Sequence, residues 1–163
     1  MTFTIFIAFL ITQRLSELYV AARNKKWLLQ HGAVEYGREH YPYMVALHTA
    51  FIISLIAEYN LRPYVTVNYY LIALFVLLTC LKALVIANLG PYWNTRIYRV
   101  PGTPPVATGI YKYIKHPNYI IVIAEIAVIP LAFSLYYTLV VFSLLNAAML
   151  HVRIKKENEA LAA

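Results

Sequence analysis

The sequence changes character at Gly109-Ile-Tyr-Lys-Tyr-Ile-Lys-His-Pro-Asn-Tyr119. Here a glycine, three tyrosines, two lysines and a His-Pro-Asn-Tyr run meet at the edge of an apolar block. Most of the sequence on either side is apolar and typical of membrane spans. Because proline is favourable at the first position of a helix, Pro117 predicts a helix that begins directly after His116. We therefore expect the chemistry of this chain to be built around residues 109–119.

The composition is that of a membrane protein. Of the 163 residues, 61% are hydrophobic and 13% are charged, whereas a soluble domain is about 45–50% apolar. The net charge is +7, but the cations lie between apolar runs, which favours membrane topology over nucleic-acid binding. A single cysteine, Cys80, excludes a disulfide framework. We expect one domain over residues 1–163, with three spans in 1–90 and a loop, a helical hairpin and a C-terminal motif in 91–163.

The apolar runs predict an all-α fold, a polytopic helical bundle of about five transmembrane helices. Residues 2–22, 43–59 and 65–89 are each close to the length that crosses a bilayer, and a turn at Arg62-Pro63 separates the second span from the third. The apolar residues 120–150 would form a helix about 46 Å long, too long for a core of about 30 Å. A break near Pro130 and Ser134 therefore predicts a short hairpin, residues 118–132 and 135–153.

The positive charges predict the orientation. With five spans and the N-terminus outside, eleven Lys and Arg residues lie on the inner side and one, Arg62, lies outside, as the positive-inside rule requires. The apolar sequence begins at Phe3 without a basic region before it, so we expect an uncleaved first span. The protein is predicted to lie in a bacterial plasma membrane with its C-terminus in the cytoplasm. Residues 109–119 and 153–161 then share the cytoplasmic face.

Ionisable residues inside the spans predict inward-facing positions. Arg14 and Glu17 are three residues apart and can neutralise each other on one helix face, and Glu125 should also face the interior. Lys82 lies near one end of its span, so we expect its side chain to reach the interface. His48 is expected to be a hydrogen-bonded interior histidine.

Three segments carry a resemblance to a known family. Leu89-Gly90 with Trp93, then residues 109–119, then Arg153-Ile-Lys-Lys-Glu157 with Leu161 resemble the isoprenylcysteine carboxyl methyltransferase family. The family pattern is Gly-x-Tyr-x-x-x-(Arg/Lys)-His-Pro-x-Tyr, a helical hairpin, and Arg-Ile-x-x-Glu-Glu-x-x-Leu. The phospholipid N-methyltransferases share much of this pattern. The second Glu of the family is Asn158 here, which leaves any role for two carboxylates unsupported.

The resemblance implies S-adenosylmethionine as the methyl donor. It implies a pocket lined by Glu157 together with Tyr111, Lys115, His116, Pro117, Asn118 and Tyr119. Imidazole and amide groups can hydrogen-bond the donor, and tyrosine rings can stack on adenine or face a sulfonium cation. By the same resemblance, Arg153 and Glu157 are the catalytic residues, Arg153 holding an anionic acceptor group and Glu157 the donor's ammonium or ribose. Spacing alone explains Arg153 and Glu157 equally well as an i,i+4 pair on an interfacial helix.

The expected function is O-methylation of a lipophilic acceptor that carries a carboxylate or an acidic hydroxyl, such as a prenylcysteine-like or an alkyl-phenol-like or pyrone-like compound. One alternative is phospholipid N-methylation, in which Glu125 or Glu17 would serve the amine; another is a non-catalytic membrane subunit. The expected partners are a lipophilic or lipidated acceptor and membrane lipid, without nucleic acid. An acceptor tunnel has four candidates: Arg14, Glu17, His40 and Tyr43. The five histidines show no ligand spacing, so no metal is expected.

Overall fold

The computed structural model describes residues 1–62 and 64–162. These residues form five α-helices: α1 (Thr2–Gln30), α2 (Tyr41–Leu61), α3 (Tyr69–Leu89), α4 (Pro117–Ala132) and α5 (Tyr136–Ala162). Two three-residue strands, β1 (Val34–Tyr36) and β2 (Ile97–Arg99), pair antiparallel, and single 3₁₀ turns occur at Arg38–His40, Gly90–Tyr92 and Gly109–Lys112. The predicted polytopic helical bundle is confirmed. The strand pair is a feature that the sequence analysis did not predict.

The chain divides into two compact units. The strand-bearing unit consists of Met1–Tyr41, Leu89–Val106 and Arg153–Ala163, and the helical unit consists of Pro42–Asn88 and Ala107–Val152. Each unit therefore combines segments that are distant in sequence. The assignment of residues 1–163 to a single domain stays a prediction.

Four helical segments are long and apolar enough to cross a membrane: Thr2–Gln30, Arg38–Leu61, Tyr69–Tyr92 and Tyr136–Leu161. Helix α4 is apolar but has only 16 residues, about 24 Å at 1.5 Å per residue. The first helix of the predicted hairpin is thus short, as expected. The second helix, α5, has 27 residues and continues past the predicted hairpin boundary at residue 153 through Arg153 and Glu157, which were also expected on a helix.

Helices α1 and α5 both extend past the predicted ends of their spans. The prediction ended the first span at residue 22 because charged residues follow, but charge lowers hydropathy without breaking a helix. Helix α1 instead continues to Gln30 and ends beside Gly32, whose φ of +74° is a backbone conformation that favours glycine. The predicted end of the first span at residue 22 is therefore wrong as the end of the helix, which continues to Gln30.

Helix α3 begins later than predicted because Asn68 caps it. The Asn68 Oδ1 atom accepts hydrogen bonds from the backbone N–H groups of Tyr70 (3.0 Å) and Leu71 (3.2 Å), so one side chain satisfies two backbone donors of the first turn. The third span was predicted from residue 65, and the helix starts at Tyr69. Pro63, part of the predicted turn, lies outside the described residues.

The helical unit closes around a buried aromatic and aliphatic core. Its fully buried side chains include Phe51, Leu55, Phe75, Ile126, Ile129, Phe133 and Leu135. The break between α4 and α5 lies where it was predicted, because Ser134 adopts a φ of 56° and the Leu135 N–H bonds back to the Pro130 carbonyl at 2.9 Å. These two features turn the chain directly after α4.

Two buried carboxylates hold the helices of this unit together. Glu58 accepts hydrogen bonds from the backbone N–H groups of Tyr137 (3.2 Å) and Thr138 (2.8 Å) at the start of α5, where a helix N-terminus favours negative charge. Glu125 is fully buried, as predicted, and pairs with Lys82 at 2.5 Å. The prediction that Lys82 reaches the interface is wrong, since the residue is 2% exposed. The carboxylate of Glu125 gives the ammonium a partner inside the bundle.

Within the strand-bearing unit, side-chain amides join the C-terminal part of α1 to residues 90–94. Asn24 is buried and donates to the carbonyls of Gly90 (3.1 Å) and Trp93 (2.8 Å), while Asn94 donates to the Ala21 carbonyl at 2.7 Å. Trp27 stacks on His31, with ring centroids 3.9 Å apart. These bonds fix residues 90–94 directly before strand β2. The predicted pair Arg14–Glu17 also lies in this unit and is confirmed at 2.9 Å.

Candidate active site

The motif of residues 109–119 enters the helical unit through a glycine turn. Gly109 has a φ of +57°, and a Cβ atom there would lie 2.1 Å from the Asn88 Oδ1 atom. The Asn88 side chain is itself held by a 2.9 Å hydrogen bond to the Leu84 carbonyl. Both the backbone conformation and the close approach therefore favour glycine at the first position of the motif. The 3₁₀ turn Gly109–Lys112 follows and places Tyr111 half-buried.

The His-Pro-Asn-Tyr run forms the start of helix α4. His116 is the residue before the first turn, and Pro117 is buried at the first helical position, as the sequence predicted. The rings of His116 and Tyr119 are stacked, with centroids 5.2 Å apart and planes at 19°. Tyr119 is 8% exposed, so this stack joins a half-buried imidazole to a ring packed in the unit. Lys115 is exposed and directly precedes His116.

Asn118 carries an unsatisfied atom inside this motif. Its Oδ1 is buried and has no hydrogen-bond partner among residues 1–62 and 64–162. A buried carbonyl oxygen without a partner costs about 1–3 kcal/mol, so each such atom in a folded protein requires an explanation. An amide oxygen accepts hydrogen bonds, so this position can receive an N–H or O–H group of a ligand.

Arg153 and Glu157 lie on helix α5 in the strand-bearing unit. Arg153 is 7% exposed, and its Nη1 donates to the Thr95 carbonyl at 2.7 Å. Glu157, one turn further along, is half-buried. The predicted site residues thus fall into two groups: the motif residues in the helical unit, and Arg153 with Glu157 in the strand-bearing unit. That one pocket contains both groups stays a prediction.

A polar network around the strand pair was missed by the sequence analysis. Glu35 of β1 accepts from Arg96 at 2.6 Å and from the Tyr98 hydroxyl at 3.2 Å. The guanidinium of Arg96 lies 4.0 Å from the centroid of the Tyr41 ring, within cation–π distance. The Tyr41 hydroxyl is 3.4 Å from Thr95 Oγ1. These contacts join residues 35–41 to residues 95–98. The second of these segments includes Thr95, whose carbonyl accepts the hydrogen bond from Arg153.

This network predicts a stability that depends on pH. Burial alone would raise the pKa of Glu35, but the hydrogen bonds and charge of Arg96, with the Tyr98 hydroxyl, hold that pKa below its ordinary value of 4.5. Stability from a lowered carboxyl pKa is present above the unfolded pKa and is lost as the pH falls through the folded one. We expect Glu35→Gln to lower the unfolding free energy by about 1 kcal/mol or less at pH 7, as is typical of ion pairs near the surface.

Thermal unfolding of the detergent-purified protein and of Glu35→Gln between pH 7 and pH 3.5 measures this effect. The stability difference between the two proteins should be constant near neutral pH and should shrink as the pH falls below about 4.5. A difference that persists unchanged at the acid end would contradict the assigned role of the Glu35–Arg96 pair.

The described part of the chain holds no group of three or more His, Cys, Asp or Glu side chains that could bind a metal ion. The chemical groups that the motif assembles are instead an imidazole, tyrosine rings and a buried amide oxygen. Such groups bind a polar organic molecule by hydrogen bonding and stacking.

Comparison with known proteins identifies the class. Residues 71–163 match the isoprenylcysteine carboxyl methyltransferase (ICMT) family, over more than half of the chain. The chain therefore belongs to this family, and it is a membrane protein of the methyltransferase type. The uncharacterized protein YpbQ of Bacillus subtilis (strain 168) is 43% identical over 161 residues, which cover 98% of this chain and 96% of that protein.

A more distant relative comes from a second bacterium. An uncharacterized protein of Haemophilus influenzae (strain ATCC 51907 / DSM 11121 / KW20 / Rd) is 29% identical over 158 residues, covering 95% of this chain and 92% of that protein. No solved structure matches the chain. The similarity to both relatives extends over the N-terminal helices, which the family match does not include.

Proposed function

We propose that this protein is an S-adenosylmethionine-dependent O-methyltransferase that acts on a lipophilic acceptor. The acceptor class is a carboxylate or an acidic hydroxyl on a long apolar body, such as a prenylcysteine-like or an alkyl-phenol-like or pyrone-like compound. The single observation that carries the proposal is the unsatisfied, buried Oδ1 of Asn118 within the family motif. Among the side-chain atoms of the described motif, it is the one that the fold buries without a hydrogen-bond partner.

The residues of the motif fit the proposed donor. S-adenosylmethionine has an ammonium group, an adenine amino group and ribose hydroxyls, each of which can donate a hydrogen bond to an amide oxygen such as Asn118 Oδ1. Tyr119 and Tyr111 offer aromatic rings for the adenine or the sulfonium, and His116 adds a ring stacked on Tyr119. Lys115 and Pro117 complete the motif side of the proposed pocket. Glu157 is proposed to bind the ammonium or the ribose.

When bound, this donor would supply a methyl group on its sulfonium sulfur: an O–CH₃ bond to the anionic acceptor oxygen would form as the S–CH₃ bond breaks, and S-adenosylhomocysteine would leave as the neutral thioether. The task of the protein is then to hold the reactants in line, which can supply much of the rate enhancement, and to exclude water from the anion. Arg153 is proposed to position the anionic oxygen through its charge. Because the acceptor oxygen is already ionised, no strong general base is needed.

The pairing of the buried carboxylates favours O-methylation over N-methylation. An amine acceptor must lose a proton, so an unengaged carboxylate beside it would be useful. Glu17 is paired with Arg14 and Glu125 with Lys82, and these are the two carboxylates that were considered for an amine. Both carboxylates are thus engaged as structural partners of a cation.

The proposed location is a bacterial plasma membrane with the N-terminus outside and the C-terminus in the cytoplasm. Two observations support it: the relatives are bacterial, and eleven of the fourteen Lys and Arg residues lie on one side in a five-span topology. This orientation gives a soluble donor access from the cytoplasm while the acceptor approaches through the lipid.

Calorimetric binding of S-adenosylhomocysteine to the detergent-purified protein tests the proposal. We expect micromolar affinity in the wild-type protein and a loss of about tenfold or more in His116→Ala and in Glu157→Ala, since hydrogen bonds to charged groups contribute about 1.5–3 kcal/mol. Lys112→Ala is the matched control. It removes an exposed cation of the same loop and should leave the affinity within about twofold, as expected for a surface substitution.

Wild-type protein that is folded but binds no S-adenosylhomocysteine would overturn the proposal and would favour a non-catalytic membrane subunit. Loss of binding in the Lys112→Ala control would instead show that the loop responds to general changes of charge. If the protein methylates aminophospholipids in preference to acidic acceptors, it is a phospholipid N-methyltransferase.

A further inference from the structure

His40 is the most deeply buried histidine of the described chain. It lies outside the motif of residues 109–119, so the proposed donor pocket does not explain its burial. It is 8% exposed, at the end of the 3₁₀ turn Arg38–His40. Its Nδ1 atom is buried and has no hydrogen-bond partner among the described residues. A neutral imidazole can carry its proton on Nδ1 and donate it, so this atom can serve a ligand oxygen.

The surroundings of His40 are cationic. The charges of Arg153 and Lys156 act on the ring, and Glu39 is the carboxylate that opposes them. Lys156 and Glu39 are less buried than Arg153, so solvent screens them more strongly. The dominant charge near His40 is therefore the buried guanidinium of Arg153, which favours an anionic ligand over a cationic one.

The glycine at position 37 leaves room for the His40 ring. Gly37 has a φ of +58°, and a Cβ atom there would lie 2.7 Å from His40 Cε1 and 2.8 Å from Nδ1. The segment is fixed further by Tyr41, which lies against Arg96 and near Thr95. Since Thr95 also binds Arg153, one network positions both the imidazole and the guanidinium.

We propose that His40 and Arg153 together bind the anionic oxygen of the methyl acceptor. His40 donates a hydrogen bond from Nδ1 to a carboxylate or to an ionised hydroxyl, and Arg153 supplies the opposite charge. The inference rests on the proposed function and deepens it, because it names a residue outside the family motif that selects acidic acceptors. His40 is a binding residue in this scheme and takes no proton from the acceptor.

Binding of two acidic probes and their methylated forms tests the inference. The probes are N-acetyl-S-farnesylcysteine and a 6-alkyl-4-hydroxy-2-pyrone, and each methylated form has the same apolar body without the charge. We expect the wild-type protein to prefer at least one acid over its methylated form. In His40→Ala, affinity for that acid should fall about tenfold or more, while affinity for the methylated form and for S-adenosylhomocysteine should change by less than about twofold.

Two further variants make the result specific to His40. His40→Asn places an amide N–H near the position of Nδ1 and should recover part of the affinity for the acid. His151→Ala removes an exposed histidine and should change none of the affinities. Thermal unfolding of each variant verifies that the protein remains folded, and His40→Asn keeps the test decisive if His40→Ala does not fold.

Several results would overturn the inference. Wild-type protein without a preference for either acid, or an unchanged acid affinity in the His40 variants, would remove the role of His40. An equal loss of affinity for the acid and for its methylated form would show that His40 affects the shape of the site and does not recognise the negative charge. A loss of S-adenosylhomocysteine affinity in the His40 variants would show that His40 binds the carboxylate of the methyl donor instead of the acceptor. If the wild-type protein binds no S-adenosylhomocysteine, the proposed function itself fails.

Discussion

Replacing one member of the Lys82–Glu125 pair should lower the unfolding free energy by about 3–5 kcal/mol, because the remaining charge is left buried without compensation. Glu125 is fully buried and Lys82 is 2% exposed, so neither charge can reach water without moving a helix. The pair joins α3 to α4, the helix that begins with the motif. Thermal unfolding of Glu125→Leu and Lys82→Met in detergent measures the effect.

The double variant Lys82→Met with Glu125→Leu provides the matched control. Replacing both charges by apolar side chains of similar size is often neutral or stabilising, so this variant should unfold within about 1 kcal/mol of the wild type. If the double variant is as unstable as the single ones, the loss arises from packing and the electrostatic explanation is wrong. Stability of the single variants equal to that of the wild type would show that the charges reach water.

Replacing Asn118 by leucine should have opposite effects on stability and on binding. The substitution removes an unsatisfied buried oxygen, and such an atom costs about 1–3 kcal/mol, so Asn118→Leu should raise the unfolding free energy of the ligand-free protein. It should also weaken S-adenosylhomocysteine binding about tenfold or more, since the ligand loses its acceptor. Stabilisation together with loss of function is expected where a site keeps a locally unfavourable group.

Asn60→Leu is the control for this pair of measurements. Asn60 is an exposed residue of α2, and its replacement should change the unfolding free energy by about 0.5 kcal/mol or less without affecting binding. A destabilised Asn118→Leu variant that still binds S-adenosylhomocysteine would assign Asn118 a structural role. The unsatisfied oxygen would then have no explanation in ligand binding.

The helices could be predicted from the sequence because long apolar runs identify them. Their ends were predicted less well. The prediction stopped α1 at residue 22, before the charges of residues 23–26, whereas the helix stops at the backbone break beside Gly32. Helix α3 starts where Asn68 offers a cap, which hydropathy does not register. The prediction that α4 begins at Pro117, directly after His116, is confirmed. This prediction depends only on adjacent residues.

Contacts between distant residues were beyond prediction from one sequence. Lys82 was expected at the interface because it lies near one end of its span. Its partner, Glu125, is 43 residues away, so the sequence did not indicate the pair. The strands β1 and β2 have three residues each, which is too short for a periodic pattern to identify them. The apolar–polar–apolar order of Val34-Glu35-Tyr36 is the weak signal that was available.

The local structure of the candidate site was predicted, whereas the roles of its residues stay predictions. The motif His116–Tyr119 begins α4 as expected, and the sequence identified its side chains through the family resemblance. The unsatisfied Asn118 oxygen and the cationic surroundings of His40 depend on burial, which the sequence does not reveal. His40 was one of four tunnel candidates, and only the structure distinguishes it from the exposed Tyr43.

The strand-bearing unit draws its parts from the beginning, the middle and the end of the chain. Asn24 bonds to Trp93 across 69 residues, and Arg153 bonds to Thr95 across 58. Ribosomes synthesise a protein from its N-terminus, and contacts between distant residues form late. His40 therefore emerges from the ribosome well before Arg153, its guanidinium neighbour. Until Arg153 has been synthesised, the nascent protein has membrane helices without the His40–Arg153 pair that we propose for acceptor binding.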